Sequence, residues 1–299
     1  MKINLQLNNQ SFAIFDLAML GLAALAIAIA SLAWFVNWKW LTFLMAFGIL
    51  ILVYGIFISP RRLKVVKVKK ALSKSPTAWL KAVYIADLHA YKNKPVTWYQ
   101  KVFGAVKEIG ADMLLVGGDL VVADTGYLDK LSGLSKLDFA YGKYYILGNH
   151  DYLDSPAEIR QQMDEWGFVN LINKSKAIKF QGLDLQLAGL DETLYGQPKV
   201  LPRDSADKPY LLLGHEPDVL LDMKEGQADL VLCGHTHGGQ IRLPLIGSLI
   251  VPSKLGRRAD LGHRVINGMP TFISAGLGEV LCRARLMCPP EIVVLELGI

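Results

Sequence analysis

The chain has 299 residues, 52% apolar and 20% charged, which excludes a disordered chain or a mini-protein. Its 32 basic and 27 acidic residues leave a net charge of +5, too small a bias to argue for nucleic acid. The three cysteines, Cys233, Cys282 and Cys288, form no CxxC pair, which argues against a disulfide framework and fits a reducing compartment.

The apolar residues are concentrated at the start. Residues 17–36 and 40–59 are two uncharged apolar runs, each long enough for a helix to cross a bilayer core. Trp34, Trp38 and Trp40 cluster around the turn between them, where amphipathic rings favour an interface. A secretory signal needs a basic start, a shorter run and a cleavage site. Here only Lys2 precedes the first run and a second run follows. Residues 1–60 are therefore expected to form a transmembrane helical hairpin, with Asp16 at its interfacial lip. The linker 61–77 and the residues up to 81 carry Arg61, Arg62, Lys64, Lys67, Lys69, Lys70, Lys74 and Lys81, against Lys39 alone in the turn. That asymmetry keeps the basic flank inside and places both termini on the cytoplasmic side of an inner membrane. The basic stretch is a juxtamembrane linker or edge strand, since 63–68 partly alternates with lysine.

Residues 78–299 have a different texture. Short apolar runs at 82–86, 113–116, 144–147, 210–213 and 230–233 read as buried strands. Between them, 98–109 has helical spacing and stops at Gly110. Ser155-Pro156-Ala157-Glu158 supplies a serine cap, a proline at the first helical position and a glutamate at the third, for a helix reaching Gly167. A short helix is expected over 217–224 and a closing strand over 291–297. The class is α/β, one domain after the hairpin.

Each of the five runs ends in a polar cluster: Asp87-Leu88-His89, Gly117-Gly118-Asp119, Gly148-Asn149-His150-Asp151, Gly214-His215-Glu216, and Gly234-His235-Thr236-His237. Ligands of open α/β sheets gather beyond the carboxyl ends of strands, so the clusters are expected to meet. Of the six histidines only His263 lies outside them. Residues i and i+2 leaving a strand point to one side, so Asp87 with His89, and His235 with His237, can reach one ion. Oxygen and imidazole donors without thiolate suit Mn, Fe, Zn or similar divalent ions. The seven donors Asp87, His89, Asp119, Asn149, His215, His235 and His237 exceed the needs of one ion and match two, with an aspartate such as Asp119 able to bridge. A lone histidine or Gly-Asp pair would be only a polar strand end or a turn; five in series are hard to obtain from composition.

This series resembles the calcineurin-like metallophosphoesterase superfamily over about residues 80–240. The resemblance implies a four-layer αββα sandwich, two β-sheets flanked by helices, with a dinuclear site at one edge. It implies that Asp87, His89, Asp119 and His237 hold one ion, and Asp119, Asn149, His215 and His235 the other. Mn²⁺ is the expected metal, with Fe, Zn or Mg as alternatives. His150 is similar to the family's catalytic histidine that is not a ligand, and Asp151 would orient it. The implied reaction is two-metal phosphoester hydrolysis without a covalent phospho-enzyme.

Ser/Thr protein phosphatases are disfavoured, because Asp119 is not followed by their Asp-Arg-Gly and the third motif ends in Asp151 rather than glutamate. The segment after Gln240 more loosely resembles membrane-associated bacterial phosphodiesterases, including UDP-2,3-diacylglucosamine pyrophosphatases of lipid A synthesis. A two-span anchor suits such an acylated substrate, and the bilayer is then a partner. Arg242, Arg257, Arg258, Arg283 and Arg285 are candidates for phosphate contact, since a guanidinium fork suits phosphate oxygens. The alternatives are a phosphodiesterase or phosphatase for a soluble substrate such as a nucleotide, and a non-catalytic membrane scaffold, which would predict eroded ligands. No nucleic-acid partner is expected, and the oligomeric state is not encoded legibly.

Overall fold

A computed structural model describes the backbone of residues 6–299 and the side chains of 13–299. Lys2, weighed against a secretory signal, lies outside the described residues. Helix α1 (Gln6–Phe35) turns back at Asn37, which has φ 62°, into α2 (Lys39–Val53). The helices touch along their lengths, and Thr42 Oγ1 donates to Ala30 O across them at 3.1 Å. The chain then continues through a π-helical turn (Tyr54–Ile58) and a 3₁₀ turn (Ser59–Arg61). Two segments of 23 residues, Ala13–Phe35 and Lys39–Arg61, are long and apolar enough to cross a membrane. Most of their large side chains are exposed. Trp38 and Trp40 stack at 6.4 Å beside the turn.

The rest is built on two six-stranded sheets. Their strands are β1 (Lys64–Ala71), β2 (Trp79–Ile85), β3 (Met113–Gly117), β4 (Lys143–Ile146), β5 (Val169–Asn170), β6 (Lys174–Phe180), β7 (Leu183–Gly189), β8 (Tyr210–Leu213) and β9 (Leu230–Cys233). They are completed by the short pair β10 (Arg242–Leu243) and β11 (Gly247–Ser248), then β12 (Gly262–Ile266), β13 (Met269–Ile273) and β14 (Glu291–Gly298). The first sheet has the order β1-β14-β2-β3-β4-β5 and the second β12-β13-β9-β8-β7-β6. The basic stretch after the hairpin is thus the edge strand of the first sheet, paired in parallel with β14 from Lys64 to Ala71. Its lysines face outward while Val68 is buried, as an edge strand requires.

Alternation decides the layers. Ala82, Tyr84, Met113 and Leu115 meet Leu187, Leu211, Leu213 and Leu232 between the sheets. Val83, Ile85, Leu114 and Val116 face outward and are covered by α3 (Val96–Glu108), α4 (Pro156–Glu165) and a run of 3₁₀ turns (Thr125–Lys136). Each large aliphatic side chain so buried contributes roughly 1.5–3 kcal/mol. Helix α4 begins at Ser155, whose side chain accepts from the Glu158 amide, and Gly110 and Gly167 follow their helices at positive φ. The outer face of the second sheet is covered more lightly. The helix expected over 217–224 is a 3₁₀ segment, Pro217–Leu221, and Val219, Leu220 and Met223 pack with Ala259 over Leu212 and Val231. Asp222 and Gly226, the latter at φ 81°, turn the chain before an α-helical turn can be completed.

Candidate metal centre

The carboxyl ends of β2, β3 and β4 in one sheet and of β8 and β9 in the other converge. Asp87, His89, Asp119, Asn149, His215, His235 and His237 all lie there, with His150 beside them. Three overlapping groups bring donor atoms within 4.8 Å of one another: Asp87, His89 and His237; His89, Asp119 and His150; Asp119, His215 and His235. Asp119 Oδ2 lies 3.4 Å from His89 Nε2 and 3.2 Å from His215 Nε2, between the two imidazoles. His89 Nε2 and His237 Nε2 are 3.0 Å apart, and Asp87 Oδ1 is 3.7 Å from His237 Nε2.

Strand alternation is not what aims these side chains. Asp87 (φ 53°), His89 (47°), Asp119 (55°), His235 (65°) and His237 (51°) are all left-handed. Such residues are held by their surroundings against an intrinsic cost of about 1–3 kcal/mol each. The 87–90 and 119–122 loops run side by side, with Asp87 N donating to Gly118 O, His89 N to Asp119 O and Ala90 N to Leu120 O, at 2.7–3.0 Å. Two glycines make room. A Cβ on Gly148 would lie 2.6 Å from His215 Nε2, and one on Gly276, at φ +66°, 2.6 Å from Asp87 Oδ2.

The donors suit a divalent cation. His215 Nδ1 donates to Gly117 O at 2.8 Å, which turns its buried Nε2 toward Asp119 Oδ2 at 3.2 Å. His235 Nε2 donates to Pro252 O at 2.9 Å, so its Nδ1 lone pair faces Asn149 Oδ1 at 2.9 Å, two acceptors with no proton between them. Asp87 Oδ2 is also buried without a partner. This oxygen-and-imidazole set holding bare lone pairs together is what a cation between them resolves. Burial pushes Asp87 up to about 7 against the pull of His215. Burial likewise holds His89 and His237 well below the usual imidazole range, so both stay neutral. Burial also acts on Asp119 and His215, but their mutual attraction outweighs it, lowering the carboxyl and raising the imidazole.

The calcineurin-like phosphoesterase family model matches residues 80–239, more than half of the chain. The chain belongs to that family. This phosphoesterase is 30% identical over 252 residues to phosphodiesterase YaeI of Escherichia coli strain K12, covering 82% of this chain and 92% of that protein. It is 30% identical to the metallophosphoesterase YkoQ of Bacillus subtilis strain 168, covering 71% and 82%. It is 25% identical to a transmembrane protein with metallophosphoesterase domain from Danio rerio, covering 80% and 58%. The chain is thus a metal-dependent phosphoester hydrolase with two mixed α/β sheets.

His150 sits edge-on to His89, ring centres 4.8 Å apart, and its backbone amide donates to Asp119 Oδ1 at 2.8 Å. Its Nδ1 has no partner. Asp151 does not orient that ring. Its Oδ1 accepts from the Leu120 and Val121 amides at 2.8 and 3.2 Å, and its Oδ2 from the Gly148 amide at 3.0 Å. Asp151 ties the loop after β3 to the loop after β4, and so sets where Asp119, Asn149 and His150 lie.

The five arginines divide. Arg285 is fully buried, and its guanidinium donates to the carbonyls of Ala275, Gly276, Gly278 and Cys288. Arg242 is taken by Asp260, Ser248 Oγ and Gly238 O. Neither presents a free fork to a phosphate; both are internal braces. Arg283 pairs with Asp16 of α1 at 2.9 Å. Arg257 donates from Nε to Ser248 O at 3.0 Å, and Arg258 is exposed beside it. His263, outside the clusters, packs against Phe272.

Sequence reasoning missed the loop after β13. Gly276 and Gly278 pack on Asp87 and His89, and the Gly278 amide donates to Asp87 O at 2.6 Å. Glu279 is buried and bonded by Lys94 Nζ at 2.8 and 2.6 Å. The signal was another strand followed by glycines and an acid, Gly276-Leu277-Gly278-Glu279, without a histidine to attract notice.

Proposed function

We propose that this calcineurin-like phosphoesterase is anchored by a two-span hairpin and hydrolyses a phosphodiester or pyrophosphate bond of a lipid-linked substrate. UDP-2,3-diacylglucosamine of lipid A synthesis is the specific candidate. One observation carries the lipid-linked reading. The segment 283–285 touches the hairpin and the metal centre together: Arg283 pairs with Asp16, Arg285 N donates to Gly55 O at 2.9 Å, and Arg285 Nη2 lies 3.4 Å from His237 Nδ1. The π-turn supports this junction, because its wider ladder leaves Gly55 O for Arg285.

In this reading Asp87, His89, Asp119 and His237 would hold one divalent ion, and Asp119, Asn149, His215 and His235 the second. Mn²⁺ is the first choice, with Fe, Zn or Mg as alternatives. The pair would supply an activated water and charge for the phosphoryl oxygens. The protein's own part is positional and protic. Asp119 and Asp151 fix the 148–151 turn through backbone amides. Burial holds His150 below the ordinary imidazole pKa, opposed by Asp119 and helped by His215, so it stands neutral beside the cluster. From there its ring N–H donates a hydrogen bond to the leaving oxygen, which takes its proton from water. Arg257 and Arg258 serve the head group; Arg242, Arg283 and Arg285 hold the frame.

The basic flank supports a cytoplasmic position for residues 60–299, beneath the inner membrane. Protease added outside sealed inside-in vesicles should leave this domain intact, and cleavage from outside would overturn the orientation. The substrate test is release of UMP from UDP-2,3-diacylglucosamine by detergent-purified protein, with Mn²⁺ and with EDTA, beside His150→Ala. Metal-dependent release absent from the variant supports the reading. Cleavage of a soluble phosphodiester without UMP release would refute UDP-2,3-diacylglucosamine as the substrate, keep the phosphoesterase mechanism and send the substrate search elsewhere.

A further inference from the structure

The hairpin β10–β11 and the loop 281–287 expose large apolar side chains beside the metal centre. Leu245, at the hairpin tip, is 108% exposed and Ile250 76%; on the loop, Leu281 is 68% and Met287 58% exposed. Ile246 and Leu249 are half exposed. The two elements are joined, Ile241 bridging to Leu286 and Arg242 N donating to Leu286 O at 3.0 Å. Internal braces hold them rigid: Arg242 and Ser248 both bond Asp260, and Gln240 Nε2 donates to Val280 O at 2.7 Å. This is therefore a fixed apolar ridge rather than an unpacked loop. Soluble surfaces seldom keep such a contiguous patch without a partner.

Three features name the partner. The loop carrying Leu281 and Met287 is the one that binds Asp16 and Gly55, so the ridge continues directly from the ends of the two apolar helices. Lys254, Arg257 and Arg258 follow the hairpin and supply a cationic border. Apolar tips above a basic border fit an anionic bilayer surface, with the tips among acyl chains and the cations among head groups. The ridge also abuts the centre, since the carbonyl of Pro252, two residues beyond Ile250, holds His235.

We propose that Leu245, Ile246, Leu249, Ile250, Leu281 and Met287 rest in the interfacial layer of the bilayer, so that the metal centre opens onto the membrane surface. A bilayer-embedded phosphoester would then reach the cluster without leaving the lipid. The proposal rests on the two-span reading, and its test separates the two.

An environment-sensitive fluorophore is attached to Leu245→Cys, Ile250→Cys, Leu25→Cys of α1, or Lys176→Cys of β6, each in full-length Cys282→Ser protein. The proteins are reconstituted in phosphatidylcholine–phosphatidylglycerol vesicles with nitroxide-labelled acyl chains. The expected result is strong quenching at 245 and 250, comparable to position 25, and none at 176. Quenching at 25 but not at 245 and 250 would overturn the ridge while leaving the spans. Loss of quenching at 25 would overturn both. A blue shift at 245 and 250 without lipid quenching would show that protein covers the ridge, and would overturn the proposal as well.

Discussion

Replacing Lys94 by methionine keeps the length of the side chain and removes its charge. In the native chain Lys94 Nζ donates to both oxygens of Glu279, at 2.8 and 2.6 Å, with both residues buried and the Trp98 ring 4.8 Å away. Burial lowers the Lys94 pKa and Glu279 opposes it, as expected for a cation whose partner is its main compensation. The variant leaves the Glu279 carboxylate buried and unpaired, a loss of about 3–5 kcal/mol. At about 2–4 °C per kcal/mol for a domain of this size, the unfolding midpoint should fall by about 6–20 °C. Glu279 follows Gly278, whose amide holds Asp87 O, so the loss should also weaken metal retention. The assay is thermal unfolding of the detergent-purified chain, followed by tryptophan emission. Lys94→Met/Glu279→Gln removes both charges and should recover at least half of the loss. A Lys94→Met midpoint within about 2 °C of the parent would refute the reasoning, because it would mean the pair is already solvated.

Other expectations follow from the same geometry. His150→Ala should lower hydrolysis about 10²–10⁴-fold with metal content unchanged, whereas Asp119→Asn should lose both; equal metal loss in the two, by elemental analysis, would break the division of roles. Asp260 is buried, which raises its pKa, but its bonds from Arg264, Ser248 and Arg242 outweigh burial and hold it below the usual carboxylate range. Its contribution is therefore present above the unfolded value of about 3.9 and is lost as pH falls through the lower folded value. Asp260→Asn should accordingly reduce the unfolding midpoint at pH 7, and the gap from the parent should narrow below about pH 4. A gap independent of pH would assign Asp260 no electrostatic role. Gly276→Ala should impair metal binding more than Gly182→Ala, since a Cβ meets Asp87 in the first case and open space in the second; equal metal content would contradict it.

The strands were legible because both faces are buried. Ala82–Ile85, Met113–Val116 and Leu230–Cys233 have apolar side chains on each side and stop where polar donors begin. The gathering of Asp87, Asp119, Asn149, His215 and His235 followed from strand ends alone. Edge strands were harder. In β6 the lysines 174, 176 and 179 are exposed and only Ile178 and Phe180 are buried, so the run lacks a buried-strand signature. The inner strand β13 was hidden for another reason: Pro270 within it argues against a strand. Local conformation was not legible. That Asp87 and His89 are left-handed depends on backbone bonds to Gly118 and Asp119, more than 25 residues away in the chain. Asp151 shows the same gap: its residue type suggests an imidazole partner, but the turn at 148–151 aims it at amides. Arg242 and Arg285 were misread for a related reason, since burial cannot be told from residue type, and Arg285 lies among carbonyls that no pattern announces.

The most direct test of the central claim combines metal content with turnover. The purified full chain, stripped with EDTA and titrated with Mn²⁺, is assayed for phosphodiester hydrolysis while bound metal is counted. Activity should be absent after stripping and return as two ions bind per chain, and Asp119→Asn should show neither recovery. Full activity in the stripped protein, or full metal loading of Asp119→Asn, would contradict a hydrolytic centre built around Asp119.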